Sequence, residues 1–185
     1  MSLSIGYHKG MRLFFAILLI CFAAGSAGAS SFEPAMGLRT QNLMPAKIAV
    51  KKSERSMRLL DMQGNVIKTY KVALGKNPVG NKQQEGDNRT PEGSYYIDAR
   101  NENSDYFLSL RLSYPSPQQR ALASQQGVRP GGNIFIHGMP NGKEWMRWKY
   151  NLNKDWTNGC IALTNRDMKE IWDLVADGTP IVIEP

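Results

Sequence analysis

Cysteine and histidine are scarce in this sequence, which holds two of each among 185 residues. Cys21 and His8 both fall within the first 29 residues, which are predicted below to be a cleaved export signal. Without this segment the chain keeps only Cys160 and His137. A single cysteine cannot form an intramolecular disulfide, which excludes a disulfide-stapled scaffold. A lone thiol in an exported protein risks oxidation, and its presence therefore suggests a nucleophile.

Long hydrophobic runs are also missing. The longest apolar stretch, 13–24, is about a dozen residues, short of the roughly 20 that span a bilayer as a helix. It follows Lys9 and Arg12 and precedes Ala27-Gly28-Ala29, the order of charge, apolar run and small residues typical of a secretory signal. We predict a signal peptide over 1–29; an uncleaved anchor is the alternative.

Repeats, low-complexity tracts and nucleic-acid-binding motifs are absent from the sequence as well. The net charge of +7 falls to +5 when Lys9 and Arg12 leave with the signal peptide. This moderate basic excess suits a place near an anionic envelope polymer or membrane surface. The length fits one folded domain, and we expect a monomer without nucleic-acid partners.

Proline and glycine divide the remaining chain. Residues 30–46 are small and polar and predict a flexible lead-in, which places the folded domain at 47–185. Short runs rich in β-branched and aromatic residues predict strands at 48–50, 57–60, 66–74, 94–99, 107–113, 133–137 and 181–183. A hairpin turn is predicted at 61–65, a loop at 75–93, and short helices at 116–126 and 164–176. The chain is therefore predicted to be mostly β, with short peripheral helices.

Cys160 and His137 form the smallest set of residues that thiol acyl transfer requires. The cysteine supplies the nucleophile, and the histidine takes its proton or stabilises the thiolate as an ion pair. Gly159 and Gly138 lie beside them and allow a substrate to approach the backbone closely. A buried structural cysteine and histidine remain an alternative. A zinc site is another, although it needs further ligands from carboxylates.

Four segments resemble the L,D-transpeptidase (YkuD-domain) family of the bacterial envelope. They are Ile136-His137-Gly138, Thr157-x-Gly159-Cys160-Ile161, Thr164-Asn165 and the stretch 86–95, which contains Thr-Pro-x-Gly. The resemblance runs from about Ile48 to the C-terminus. It implies a catalytic-domain β-sandwich of mixed sheets and export to the periplasm of a Gram-negative bacterium.

The resemblance also implies roles for individual residues. Cys160 becomes the acylated nucleophile, His137 its proton acceptor, and Gly159 and Thr157 the residues that shape the oxyanion site. The substrate is a peptidoglycan stem tetrapeptide, in which the thiolate attacks the L-centre carbonyl of meso-diaminopimelate and expels D-alanine. The thioester then passes to an amine of a neighbouring stem. No metal or organic cofactor is implied.

Two positions depart from the family pattern. Asn158 stands where the family commonly has a second histidine, and it can hydrogen-bond to a substrate but cannot titrate. Ala162 stands where the family often has an arginine, so a guanidinium for the stem carboxylate must come from elsewhere. Arg147, Arg89 and Arg166 are the available residues. These departures indicate a divergent Thr-Asn-Gly-Cys subgroup.

The segment 143–150 holds three aromatic and three basic residues in eight positions. Its aromatic faces suit sugar rings and its cations suit carboxylates, so we expect Trp145 and Arg147 to bind substrate. The alternative is a surface loop whose tryptophans are buried against the domain.

Other functions remain open from the sequence. Water as acceptor makes the enzyme an L,D-carboxypeptidase, and an amidase acting on envelope peptides uses the same chemistry. A sortase also orders histidine before cysteine, but Thr157-Asn158-Gly159-Cys160 fits its pattern poorly. A non-catalytic peptidoglycan-binding module with an inert thiol is the alternative from a different class.

Overall fold

The computed structural model describes residues 44–146 and 148–185. The predicted signal peptide and most of the predicted lead-in lie outside the described residues. The strands are β1 (Lys47–Lys51), β2 (Ser56–Leu60), β3 (Val66–Lys71), β4 (Gly93–Ser104), β5 (Phe107–Leu112), β6 (Phe135–His137), β7 (Ile161–Ala162) and β8 (Pro180–Glu184). The helices are α1 (Pro117–Gln125) and α2 (Asn165–Leu174). Within the described ranges no helix has the length and apolar character needed to cross a membrane.

The β2–β3 hairpin forms where the turn residues predict it. The Asp61 side chain accepts hydrogen bonds from the backbone N–H groups of Gln63 (2.9 Å) and Asn65 (2.8 Å). Gly64 adopts a φ of +84°, which glycine reaches without a Cβ penalty. The predicted turn at 61–65 is confirmed, and it reverses the chain so that β2 and β3 pair antiparallel.

The eight strands form one continuous mixed sheet in the order β3-β2-β1-β8-β4-β5-β6-β7. The β1–β8 and β6–β7 pairs are parallel, and the other neighbours are antiparallel. The first part of β4, from Gly93 to Tyr96, pairs with β8, and the part that begins at Ile97 pairs with β5. The mostly β fold with short helices is confirmed, and the predicted mixed sheets are two halves of one sheet that β4 joins.

Both predicted helices are confirmed, with local sequence setting their ends. The Ser116 hydroxyl accepts a hydrogen bond from Gln119 N–H, and the Gln119 side chain accepts one from Ser116 N–H, a reciprocal cap that begins α1. Gly127, at a φ of +67°, follows its end. At the start of α2 the Thr164 hydroxyl accepts from Asp167 N–H.

The core is one apolar cluster that joins the strands of the sheet to α2. Met168 and Ile171 on α2 and Val175 just after it are buried, which confirms the apolar face expected from their i, i+3 and i+7 spacing. Each fully buried aliphatic side chain contributes roughly 1.5–3 kcal/mol to folding. Arg100 of β4 stacks over Trp172 and donates to carbonyls at the C-terminal end of α2, which anchors the helix to the sheet.

The segment that follows β3 covers the outer edge of β7. Ala73 and Ala162 exchange two backbone hydrogen bonds of 3.0 and 2.8 Å. Thr157 N–H donates to Leu74 C=O at 3.1 Å, and Lys76 N–H donates to Thr157 C=O at 3.0 Å. These bonds pair backbone N–H and C=O groups that would otherwise be left without partners at the edge of the sheet. They also fix the position of the loop that leads into β7.

The glycine-rich segment 75–93 is a loop, as predicted. Lys52, almost fully buried, anchors it by donating to Gly80 C=O (2.6 Å), Thr90 C=O (3.0 Å) and the Glu92 carboxylate (2.8 Å). A buried ammonium is tolerated only when its protons are all bound, and here three acceptors surround it. The loop is therefore held firmly against the strands.

Candidate active site

His137 is the last residue of β6 and is nearly buried. Its ring contacts the aromatic rings of Tyr106 (centroids 4.5 Å apart) and Trp156 (5.7 Å). Its Nδ1 lies 2.7 Å from the backbone oxygen of Gly138. A carbonyl oxygen only accepts hydrogen bonds, so Nδ1 carries the proton and Nε2 of the neutral ring is left as the basic nitrogen.

Burial keeps this imidazole uncharged. Desolvation lowers the pKa of His137 to about 4, and the hydrogen bond to Gly138 has a smaller effect in the opposite direction. At neutral pH the ring is therefore neutral, with a free lone pair on Nε2. This is the protonation state that a general base requires.

The same burial makes folding acid-sensitive, which yields a first prediction. The unfolded chain binds a proton at His137 near pH 6.5, whereas the folded chain binds it only near pH 4. Stability from this group is complete above pH 6.5 and falls by about 3 kcal/mol as the pH drops to 4. We expect the free energy of unfolding in urea to fall between pH 7.5 and pH 4 by about 3 kcal/mol more in wild type than in His137→Asn. This variant removes the imidazole and keeps every carboxylate, so it accounts for the acid sensitivity of the other groups. Equal losses in both proteins would contradict it.

Cys160 precedes β7 at the end of a short loop that Thr157 holds together. The Thr157 hydroxyl donates to Cys160 C=O (2.7 Å) and accepts from Gly159 N–H (3.1 Å). Gly159 has a φ of +132°, and a Cβ there would lie 2.7 Å from the Arg89 carbonyl oxygen. Only glycine fits this position, which explains the Gly-Cys pair physically.

The thiol of Cys160 is partly accessible and uncharged. Burial raises its pKa, while a hydrogen bond from the Phe135 N–H and the positive charge of Lys82 act in the opposite direction. Its Sγ lies 3.6 Å from the Asn133 carbonyl oxygen. Since the His137 pKa is lowered and the Cys160 pKa is raised, the two groups are a neutral pair and not an ion pair.

The sheet brings the two residues to one face. In the parallel β6–β7 pair, Ile136 lies opposite Ile161, so Cys160 falls opposite Phe135. Side chains alternate along a strand, which places Phe135 and His137 on the same face. Cys160 and His137 line a common cavity of about 460 Å³. The structure thus places the thiol and the imidazole, which the sequence predicts to act together, in one cavity.

The other predicted site residues are distributed unevenly around this cavity. Thr157 and Asn158 line it, whereas Gly159 does not and lies close to the Arg89 backbone. Gly138 does not line the cavity, and a Cβ there would lie 2.7–3.0 Å from Asn165, Phe107 and Tyr106.

The segment 143–150 reaches the cavity through its C-terminal part. Lys149 and Tyr150 line it, while Trp145 projects into solvent with 75% of its surface exposed and Trp148 with 67%. The alternative of buried tryptophans is therefore wrong for these two residues. Arg147 lies outside the described residues.

The sequence reasoning missed several residues that line the cavity. Tyr106 packs on His137, and Lys76 donates a hydrogen bond to Asn158 at 3.0 Å. Lys76 lies 84 positions before Cys160, and no local motif connects the two. In the described ranges, no three His, Cys, Asp or Glu side chains converge in a way that would hold a metal ion.

Comparison with known proteins identifies the class. The family model described as the L,D-transpeptidase catalytic domain, YkuD, matches residues 45–183. The chain belongs to this family.

Individual relatives agree with this assignment. The chain is 29% identical over 179 residues to YafK of Escherichia coli (strain K12), named as a candidate L,D-transpeptidase, with 90% of this chain and 64% of YafK covered. It is 28% identical over 165 residues to YkuD of Bacillus licheniformis, which is also named as a candidate L,D-transpeptidase, with 86% of this chain and 77% of that protein covered.

Solved structures share the fold. The helical cell shape determining protein Pgp2 from Campylobacter jejuni superposes with a TM-score of 0.58 at 25% identity, over 77% of this chain and 51% of Pgp2. Bd1075 of Bdellovibrio bacteriovorus superposes at 0.52 with 23% identity, over 75% of this chain and 47% of that one. The chain thus spans about half the length of these structures and under two thirds of YafK.

Proposed function

We propose that this protein is a peptidoglycan L,D-transpeptidase that works through a thioester on Cys160. The observation that carries the proposal is the shared cavity, in which His137 presents an unprotonated Nε2 and Cys160 a partly accessible thiol. Family membership supports the substrate class, a stem tetrapeptide that ends in meso-diaminopimelate and D-alanine.

The proposed reaction balances protons on His137. As Cys160 Sγ bonds to the carbonyl carbon of diaminopimelate, its proton moves to His137 Nε2. Collapse of the tetrahedral intermediate breaks the carbon–nitrogen bond, and the imidazolium protonates the departing D-alanine amine. A neighbouring stem amine then attacks the thioester, gives its proton to Nε2, and that proton returns to the Cys160 sulfur as the new amide forms.

We assign stabilisation of the oxyanion to the Cys160 backbone N–H. The Gly159 N–H, the other amide that the sequence suggests, already donates to the Thr157 hydroxyl. In this proposal Thr157 and Gly159 act by fixing the loop, so that the remaining amide is preorganised where negative charge develops.

The acceptor decides between transpeptidase and L,D-carboxypeptidase, and product analysis separates them. We expect the protein, incubated with tetrapeptide muropeptides, to release D-alanine and yield cross-linked dimers together with a mass adduct on Cys160. Tripeptides without dimers would assign the carboxypeptidase reaction instead. No D-alanine release and no adduct would overturn both and favour a non-catalytic binding module.

The same proposal covers cellular placement. We infer that residues 1–29 direct export, that 30–46 act as a lead-in, and that 47–185 work as a monomer in the periplasm. Pgp2 is a helical cell shape determining protein, and we extend the proposal to a role of this chain in cell-wall shape. The neutral Asn158 and Ala162 near the nucleophile support our assignment of the chain to a divergent subgroup.

We propose that the segment 143–150 binds the glycan strand that carries the stem peptide. The exposed tryptophans of this segment offer faces for sugar rings, and the segment reaches the cavity through Lys149 and Tyr150. Arg147 adds a cation to its sequence. We expect Trp145→Ala combined with Trp148→Ala to weaken binding to purified sacculi roughly tenfold. Met62→Ala, an exposed apolar residue at the β2–β3 turn, is the control. Unchanged sacculus binding in the double variant would refute this role.

A further inference from the structure

Lys76 enters the cavity from a distant part of the sequence. Its backbone N–H donates to Thr157 C=O at 3.0 Å, and the preceding residue, Gly75, forms a parallel bridge with Thr157. Its Nζ donates to Asn158 Oδ1 at 3.0 Å. Backbone and side chain together thus hold this ammonium next to the second residue before Cys160.

Lys76 and Asn158 leave donors directed at the cavity. An ammonium has three N–H donors and no acceptor, and the bond to Asn158 uses one of them. Because Asn158 Oδ1 accepts that bond, the two N–H donors of its Nδ2 are left for another partner. A surface made of a cation and an amide NH2 group matches a group that is anionic and purely an acceptor, which is the description of a carboxylate.

The charges around the cavity favour the same ligand. Lys76 and Lys149 are the cations among its lining residues, Asp105 is the carboxylate, and His137 is neutral because burial lowers its pKa. Arg89 and Arg166, considered from the sequence as carboxylate partners, do not line the cavity. Ala162 is fully buried and pairs with Ala73, so its position supplies no donor side chain.

We propose that Lys76 and Asn158 bind a carboxylate of the stem peptide, an assignment that rests on the proposed function. Two carboxylates have this chemistry, that of the terminal D-alanine and that of the diaminopimelate side chain. The D-alanine carboxylate carbon lies only two bonds beyond the nitrogen that leaves, of 1.46 and about 1.52 Å. A group that recognises it must therefore lie close to the nucleophile, as Asn158 does.

The test measures both binding and turnover. In a Cys160→Ala background, calorimetry with the free-acid tetrapeptide should show a dissociation constant raised about 10- to 100-fold by Lys76→Met. Lys76→Arg should restore part of the affinity. With the catalytic cysteine present, Lys76→Met should raise KM more than it lowers kcat. The matched control is Lys71→Met, which removes an exposed lysine that hydrogen-bonds to Asn153. It should change neither the dissociation constant nor the kinetic parameters.

Two amidated substrates distinguish the carboxylates. One tetrapeptide is amidated at D-alanine and the other at the diaminopimelate side chain. Amidation of the carboxylate that Lys76 contacts removes the contact, so that peptide should bind wild type and Lys76→Met equally. The inference is overturned if Lys76→Met binds all three peptides as wild type does, even where D-alanine release confirms the proposed function. If the tetrapeptide binds but wild type releases no D-alanine, the proposed function is refuted. The comparison of the dissociation constants of wild type and Lys76→Met still decides whether Lys76 binds a carboxylate.

Discussion

Replacing Cys160 with alanine is expected to abolish D-alanine release from tetrapeptide stems, lowering kcat by roughly 10⁴- to 10⁶-fold. The alanine removes the atom that bonds to the substrate carbonyl, so no thioester forms and His137 Nε2 has no proton to accept. Mass spectrometry should show the acyl adduct on wild type and none on the variant. Amino-acid analysis of the released D-alanine gives the rate.

The same variant should keep the fold. The Cys160 sulfur makes a long hydrogen bond to the Asn133 carbonyl at 3.6 Å and accepts one from the Phe135 N–H, and the residue is only partly buried. Cys160→Ala should therefore change the free energy of unfolding by no more than about 1 kcal/mol. If this variant released D-alanine at the wild-type rate, the thioester mechanism would be ruled out.

Gly75→Ala is expected to reduce activity about 100-fold and to destabilise the protein by roughly 1–3 kcal/mol. A Cβ on Gly75 would meet the Asn88 carbonyl oxygen far inside van der Waals contact and lie 3.1 Å from the Gly159 Cα. Three backbone segments converge there, so neither neighbour can rotate away as a flexible side chain would. We expect the resulting shift to reach Gly159 as well as Asn88, and through Gly159 the adjacent Cys160.

Gly132→Ala is the matched control for this prediction. Neither Gly75 nor Gly132 has a positive φ, and a Cβ on Gly132 would meet only Pro115 Cδ at 4.0 Å. The two substitutions therefore remove the same conformational freedom and differ in available space. D-alanine release and urea unfolding, measured for both, should separate them. Equal effects would show that crowding between the loop and Gly159 does not position the nucleophile.

Local structure was largely predictable from the sequence because local rules govern it. Alternating apolar residues predict the strands, the 3.6-residue spacing predicts α2, and turn residues predict the hairpin at 61–65. Strand order was not predictable. β8 lies between β1 and β4, and β4 links both halves of the sheet, because pairing between distant strands depends on how the whole core closes.

The candidate site shows the same division. The scarcity of cysteine and histidine, together with the glycines beside them, is enough to single out Cys160 and His137 from the residue pattern alone. Their protonation states follow only from burial, which shifts the pKa of His137 down and the pKa of Cys160 up. Sequence leaves open whether such a pair is charged, because desolvation depends on neighbours that the fold assembles.

By itself the sequence determined the candidate reactive residues, the family resemblance and most of the secondary structure, since each depends on neighbours along the chain. Only the tertiary structure decided that Lys76 joins Asn158 in the cavity, that Thr157 engages the Gly159 amide, and that Trp145 lies in solvent. Backbone pairing between 73–76 and 157–162 brings these groups together, and such long-range pairing has no signature in local residue patterns.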